Sequence, residues 1–96
     1  MYYVYILECA DKTLYTGITV DLARRVKEHN DSKLGAKYTR ARRPVKLVYS
    51  KRYANRSKAS IAESKIKVLN RKKKLLLIAN LNKGIPSDLL LANTSG

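Results

Sequence analysis

The sequence predicts a small α/β domain of the α+β type, in which a three-stranded, mainly antiparallel sheet is flanked by helices in the order ββαβαα. The chain has 96 residues, 45% of them hydrophobic, which suits a single domain of ordinary composition. Two runs of β-branched and aromatic residues near the N-terminus are separated by a short polar turn. Apolar residues then recur at helical spacing in three segments, so the strands are expected to form one small sheet covered by helices.

The strands are predicted from composition. Residues 2–9 and 14–19 are rich in β-branched and aromatic side chains, and Asp11-Lys12 supplies a turn between them. These two runs are therefore expected to form a β-hairpin. The alternating segment 44–53 is expected to form the third strand.

Helix starts are predicted where a capping residue precedes apolar periodicity. Asp21 is expected to cap a first helix that runs to about Asn30. Either Asn55 or Ser57 caps a second helix, and a third helix is expected over 72–82.

The segment 31–43 has no clear period and reads as a long basic loop with room for one helical turn near Tyr38. The run Gly84-Ile85-Pro86 is expected to end the last helix. We therefore expect one domain over 1–88, followed by a flexible C-terminal tail at 89–96.

Charge is the most informative feature of the composition. The chain carries 21 Lys and Arg against 7 Asp and Glu, a formal net charge of +14. From Ser32 to Ser87 there are 17 basic residues and a single acid, Glu63. Such a charge attracts polyanions, so nucleic acid is the expected partner.

The composition also excludes several classes of protein. The single cysteine, Cys9, has no intrachain disulfide partner, which favours a reducing, cytoplasmic location, nucleoid-associated or not. No apolar run approaches the roughly 20 residues that span a bilayer, so no membrane partner is expected. One histidine and no paired cysteines exclude a structural zinc site, and no glycine-rich phosphate loop is present. Any chemistry must therefore use Tyr, Arg, His29 and Glu63.

Five short motifs occur in an order and at spacings that resemble the GIY-YIG nuclease domain. They are Val4-Tyr5-Ile6, Tyr15-Thr16-Gly17, Arg25, His29 and Glu63. The resemblance covers most of the chain and is strongest to small bacterial stand-alone GIY-YIG proteins. Further stretches that carry this resemblance are 14–19, 24–30, 35–39 and 63–67.

Two features depart from the family pattern. The leading glycine of the first motif is absent, so only its tyrosine survives, as Tyr5, whereas the second motif keeps Tyr15 and Gly17. Many family members also have an asparagine downstream of the glutamate. Asn80 and Asn82 are candidates, but neither spacing assigns that role.

The resemblance implies a metal-dependent DNA endonuclease that hydrolyses phosphodiester bonds, in DNA repair or recombination, on branched or single-stranded DNA. It implies one Mg²⁺ or Mn²⁺ ion, held by Glu63, and a motif tyrosine that activates the attacking water. The implied catalytic residues are Tyr5, Tyr15, Arg25, His29 and Glu63.

Arg25 and His29 are four residues apart on the predicted first helix, so they are neighbours on one face. That face lies close to the direction of Leu22 and Val26, which places both residues at the edge of the buried side. Arg25 could there stabilise the charge that develops on a phosphorus atom. From the residues alone, a solvated arginine and a structural histidine remain alternatives.

Glu63 lies at the rim of the apolar face of its predicted helix. A single carboxylate, completed by water and phosphate oxygens, is an adequate Mg²⁺ site. A salt bridge to Lys67 or Arg56 explains the same residue equally well.

Tyr5 and Tyr15 can meet only if they share one face of the hairpin. A two-residue turn would put them on opposite faces, whereas a three-residue loop sets Tyr15 opposite Cys9 and on the face of Tyr5. We therefore predict the longer loop or a bulge. The resemblance implies that one motif tyrosine is the base and the other binds phosphate, and of the two we favour Tyr5 as the base. Its ionisation at neutral pH costs about 1.4 kcal/mol per pKa unit, which nearby cations reduce.

The basic loop is the predicted surface for the DNA backbone, and its tyrosine can stack on a base or pack internally. Gly17 is expected to let the backbone approach a phosphate or a helix closely. The predicted nucleic-acid-binding residues are Gly17, Lys33, Lys37, Tyr38, Arg40, Arg42 and Arg43.

Two other classes of function remain open. A nucleic-acid-binding module could keep the nuclease fold without cutting, although the presence of all five motif residues argues against it. An RNA- or ribosome-associated protein is suggested by charge alone and would not need the carboxylate of Glu63.

Overall fold

The computed structural model describes residues 1–82, which form three strands and four helices. The strands pair in the order β2-β1-β3, and both pairings are antiparallel. The predicted α+β fold is therefore confirmed, with the helical turn expected near Tyr38 present as the short helix α2. The elements are β1 (Tyr2–Glu8), β2 (Leu14–Thr19), α1 (Leu22–Asp31), α2 (Lys37–Arg40), β3 (Lys46–Tyr53), α3 (Arg56–Lys67) and α4 (Arg71–Asn82).

Asparagine and aspartate side chains fix the starts of the three longer helices. Asp21 accepts the backbone N–H of Arg24 at 3.0 Å at the start of α1, as predicted. Asn55 accepts the N–H of Lys58 at 2.9 Å and so is the cap of α3, which decides between the two predicted caps. Asn70 caps α4 in the same way, by accepting the N–H of Lys73. This helix begins at Arg71, one residue before the predicted start at residue 72.

The central strand β1 separates two apolar clusters. On one face Val4 and Ile6 pack with Tyr49 of β3 and with Ala59 and Ile66 of α3. The opposite face carries the second cluster, which α1 covers. Its buried members are Tyr5, Leu7, Cys9 and Val45, with Tyr15, Leu22 and Val26 packed against them. Because β1 is buried on both faces, its side chains, Tyr5 included, are held in fixed positions by packing.

The β1–β2 hairpin places Tyr5 and Tyr15 on the same face, as predicted. Its register pairs Leu7 with Tyr15, rather than the predicted Cys9, because the connection spans residues 9–13. A shift of two residues preserves the face, so the prediction of a loop longer than two residues holds although the predicted partner was wrong. Lys12 closes the turn with a φ of 69°.

None of the helices described in residues 1–82 is long and apolar enough to cross a membrane. The predicted helix end at 84–86, the domain boundary at 88 and the tail at 89–96 lie outside the described residues.

Candidate active site

Tyr5 is the centre of the candidate site. Its side chain is 1% exposed, and its hydroxyl oxygen lies 2.9 Å from Nε2 of His29. Burial raises the pKa of the Tyr5 phenol, and the nearby Arg25 opposes that increase. The charges of Tyr15 and Glu63 also raise this pKa, so three neighbouring side chains act on one phenol.

Gly17 has a different task from the one predicted. It pairs with Tyr5 across the hairpin, and a Cβ atom at this position would lie 2.5 Å from the Tyr5 hydroxyl oxygen. Gly17 is buried, so it makes room for the phenol instead of lining the surface predicted to bind nucleic acid.

His29 is fully buried at the C-terminal end of α1. Its Nδ1 atom lies 2.7 Å from the hydroxyl oxygen of Thr39 and 3.4 Å from the backbone nitrogen of Ala36. Burial, followed by the positive charge of Arg25, lowers the pKa of His29 to about 4, although Glu28 acts in the opposite direction. The ring is therefore neutral at physiological pH.

Tyr15 connects the buried tyrosine to the surface through an aromatic column. Its ring centroid lies 6.5 Å from that of Tyr5, 5.2 Å from that of His29, and 5.9 Å from that of Tyr38, on which it stacks. The guanidinium carbon of Arg42 lies 3.9 Å from the Tyr38 ring centroid. Tyr38 and Arg42, two of the loop residues predicted to contact nucleic acid, therefore extend directly from the tyrosine cluster.

Arg25 lies on α1, on the same helix as His29, and is held by two contacts. Its Nη1 atom donates to the Glu28 carboxylate at 2.9 Å and to the carbonyl of Leu34 at 2.8 Å. Burial alone would lower the pKa of Arg25, but Glu28 and the Tyr5 hydroxyl raise it above its usual value. Sequence analysis missed Glu28, although its spacing of three residues from Arg25 on a helix is a recognisable signal.

Glu63 lies on α3, which packs against β1 and β2. Its carboxylate is 21% exposed and lies 3.6 Å from the Lys67 ammonium, one of the two predicted salt bridges. Among the residues described, no three His, Cys, Asp or Glu side chains gather where they could hold a metal ion. Glu63 is therefore a single carboxylate, and a hard cation bound there would complete its shell with water and phosphate oxygens.

Two arginines of the basic loop serve the protein itself. Arg43 donates to the carbonyls of His29 at 2.5 Å, Glu28 at 3.2 Å and Ser32 at 2.5 Å, and so caps the end of α1 instead of facing DNA as predicted. Arg42 donates to the carboxylate of Asp11 at 3.1 Å.

The other predicted basic residues of the loop, Lys33, Lys37 and Arg40, are exposed. Asn80 is also exposed on α4, and the side chain of Asn82 lies outside the described part of the chain.

A further residue missed by sequence analysis is Asn30. Its amide donates to the carbonyl of Val45 at 3.0 Å and accepts the N–H of Val45 at 2.7 Å. This pair ties the end of α1 to the entry of β3. No periodicity could have revealed it, because the partners are distant in sequence.

The fold and these residues define a GIY-YIG domain, a nuclease-type catalytic domain whose members commonly use divalent metals and act on nucleic acid. A family model of the GIY-YIG catalytic domain matches residues 1–75, and the chain belongs to that family.

Close relatives carry the name UPF0213, which specifies no activity. The chain is 53% identical over 83 residues to UPF0213 protein DP2720 of Desulfotalea psychrophila, covering 86% of this chain and 76% of the relative. It is 55% identical over 76 residues to a UPF0213 protein of Syntrophus aciditrophicus, covering 79% of this chain and 87% of the relative.

Solved structures show the same fold. The solution NMR structure of the UPF0213 protein BH0048 from Bacillus halodurans has a TM-score of 0.56 and 45% identity, over 91% of this chain and 90% of that one. The solution NMR structure of EF2693 from E. faecalis has a TM-score of 0.59 and 37% identity, over 84% of this chain and 85% of that one.

Proposed function

We propose that this protein is a divalent-metal-dependent endonuclease that hydrolyses phosphodiester bonds in DNA. The observation that carries the proposal is the contact of Tyr5, His29 and Tyr15 in one cluster, with Arg25 and Glu63 close enough to shift the pKa of Tyr5. A role in DNA repair or recombination, a cytoplasmic or nucleoid-associated location and a single domain over 1–88 belong to the same proposal.

Arg25 would bind the scissile phosphate. Its contacts to Glu28 and Leu34 use the hydrogens of Nη1 and leave Nε and Nη2 to donate to phosphate oxygens. A guanidinium held in this way is preorganised for the charge that develops at phosphorus, so it stabilises the transition state without first having to be ordered.

Tyr5 would take the proton of the attacking water. Burial makes this costly because it raises the pKa of the phenol, and the Arg25 charge offsets part of that cost. Tyr15, half-buried and beside the same histidine, would bind a phosphate oxygen through its hydroxyl.

Glu63 would hold one Mg²⁺ or Mn²⁺ ion. Its lone, partly exposed carboxylate fits a hard cation that completes its shell with water and substrate oxygens. When bound, such an ion acts as a Lewis acid at the leaving oxygen. To hold the ion, Glu63 must give up its ion pair with Lys67. Such solvent-accessible ion pairs contribute little to stability, so the pair can be broken at small cost.

The exposed cations Lys33, Lys37 and Arg40 would position the DNA backbone beside the aromatic column. Each phosphate neutralised on duplex DNA should add about −0.9 to the log–log slope of affinity against salt. Binding that does not weaken with salt would contradict this surface.

The test is cleavage of single-stranded, nicked and branched DNA with Mg²⁺ or Mn²⁺. Glu63→Gln and Arg25→Ala should each lower the cleavage rate by about a hundredfold or more. Glu8→Gln is the matched control for the first variant, because its carboxylate is also 21% exposed and pairs with a lysine, Lys46, at 3.3 Å. Arg24→Ala, on the same helix as Arg25 but 61% exposed, is the control for the second.

The outcomes separate the candidate functions. Metal-dependent cutting that the two site variants lose and the two controls keep supports the nuclease. Salt-sensitive binding without cutting on any of the substrates would favour a non-catalytic DNA-binding module. Equal cutting by all four variants would indicate a contaminating nuclease.

A further inference from the structure

The hydrogen-bond partners of the His29 ring are all protein groups in the described part of the chain. His29 and Thr39 are both 0% exposed, so solvent does not hydrate the ring. Nε2 faces the hydroxyl of Tyr5 at 2.9 Å, and Nδ1 faces the hydroxyl of Thr39 at 2.7 Å and the N–H of Ala36 at 3.4 Å. A neutral imidazole carries one proton, so its position decides which way each of these bonds runs.

The N–H of Ala36 identifies Nδ1 as an acceptor. A backbone N–H can only donate, and this one points at Nδ1. The 2.7 Å separation from Thr39 is also the usual length for a hydroxyl donor. The Thr39 hydroxyl also lies 2.9 Å from the carbonyl of Ala36, the other acceptor for its single hydrogen. That carbonyl already accepts the N–H groups of Thr39 and Arg40 at 3.1 Å each, whereas Nδ1 has only the longer contact from Ala36, so we assign the hydroxyl hydrogen to Nδ1. Both donors therefore leave Nδ1 without a proton.

We propose that Thr39, together with the Ala36 N–H, is a positioning residue that holds His29 in the Nε2–H tautomer. The ring then donates to the oxygen of Tyr5, and the tyrosine's own hydrogen points away from the histidine. The low pKa of His29 is consistent with a ring that stays neutral and keeps this arrangement at physiological pH.

The consequence for catalysis rests on the proposed function. An N–H aimed at the phenol oxygen stabilises the negative charge that forms when Tyr5 loses its proton. In the opposite tautomer, Nε2 would accept from the phenol and leave the phenolate without that donor. Thr39 would thus make Tyr5 a better base without touching the substrate.

The chain contains one histidine, so ring-nitrogen NMR of the labelled full-length protein reports His29 directly. At neutral pH we expect a protonated Nε2 and an unprotonated Nδ1. Thr39→Val keeps the shape but removes the hydroxyl, and it should reduce the preference for this tautomer about tenfold, the value of one hydrogen bond. Thr39→Ser is the matched control, because it keeps the hydroxyl and should restore the wild-type spectrum.

Cleavage kinetics give the second readout. Thr39→Val should lower kcat about tenfold with KM unchanged, and Thr39→Ser should recover the rate. A proton on Nδ1 in the wild-type protein, or an unchanged spectrum in Thr39→Val, would overturn the inference. If the spectra behave as expected but no variant cuts DNA, the assignment of the tautomer stands and the proposed nuclease function fails.

Discussion

The close packing of Gly17 against Tyr5 predicts that even one added methyl group disrupts the site. In Gly17→Ala the new Cβ would lie 2.5 Å from the Tyr5 hydroxyl oxygen and 2.7 Å from the ring carbon that bears it. Because Tyr5 is 1% exposed and packed in the cluster under α1, its ring has no free space into which to move. Either the strands separate or the phenol loses its bond to His29.

The magnitude follows from three contributions. No glycine in the described residues has a positive φ, so alanine suits the backbone and would itself stabilise a strand by about 0.5–1 kcal/mol. Overpacking a closed core costs about 1–3 kcal/mol, and loss of the Tyr5–His29 hydrogen bond about 1 kcal/mol more. The net expectation is a destabilisation of about 2 kcal/mol, or a Tm lower by roughly 10 °C in a domain of this size.

The assay is thermal and urea denaturation of four proteins: wild type, Gly17→Ala, Tyr5→Phe and the double variant. Tyr5→Phe removes the atom at 2.5 Å, so Gly17→Ala should cost about 1 kcal/mol less in that background, which measures the coupling between the two positions. A Gly17→Ala protein as stable as wild type, or costs that simply add, would refute the packing argument.

Three further predictions follow from other buried groups. The hydroxyl of Thr16 is buried without a hydrogen-bond partner in residues 1–82, so Thr16→Val should raise the free energy of unfolding by about 1 kcal/mol, and with it the urea midpoint. A lower midpoint would show that the hydroxyl is satisfied. The pKa of His29 is about 4 in the folded protein and 6.5 otherwise, so the unfolded chain binds its proton first. The contribution of neutral His29 to the free energy of unfolding is therefore complete above pH 6.5 and is lost as the pH falls toward 4, by up to about 3 kcal/mol. His29→Gln should make the free energy of unfolding less dependent on pH in this range. Arg43→Ala removes three bonds to the end of α1 and should cost about 1–3 kcal/mol in denaturation, whereas Arg40→Ala, at an exposed position, should change stability by less than about 0.5 kcal/mol.

The parts of the fold that depend on residues close together in the sequence could be predicted from composition, periodicity and capping residues. The β-branched and aromatic composition of β1 and β2 predicts the hairpin. The requirement that Tyr5 and Tyr15 reach one site then selects a loop longer than two residues, although the actual loop is longer than the one considered. Capping chemistry predicts the start of α1 and offers the correct residue for α3. Such features are readable because each depends on residues that are neighbours along the chain.

Contacts between distant residues could not be predicted in this way. His29 contacts Thr39, which is ten residues further along the chain in a segment whose pattern suggests only a basic loop. Composition likewise gives the number of positive charges but does not distinguish cations that bind a ligand from cations that stabilise the fold. Arg43 and Lys37 belong to the same basic segment, yet the first binds carbonyls at the end of α1 and the second is exposed.

The charged residues of the site already have protein partners, and this bears on how the proposed reaction begins. Glu28 binds Arg25 through one nitrogen, so a phosphate can be added at the remaining donors without breaking that contact. Lys67, by contrast, shares the only carboxylate that Glu63 offers, so a metal must displace or weaken that ion pair. Phosphate binding should therefore need little rearrangement, whereas metal binding has a competitor in the chain itself. Lys67→Gln is then expected to lower the metal concentration needed for half-maximal cleavage. DNA affinity should change by no more than the loss of one phosphate contact. An unchanged metal requirement would show that Lys67 does not compete with the metal for Glu63.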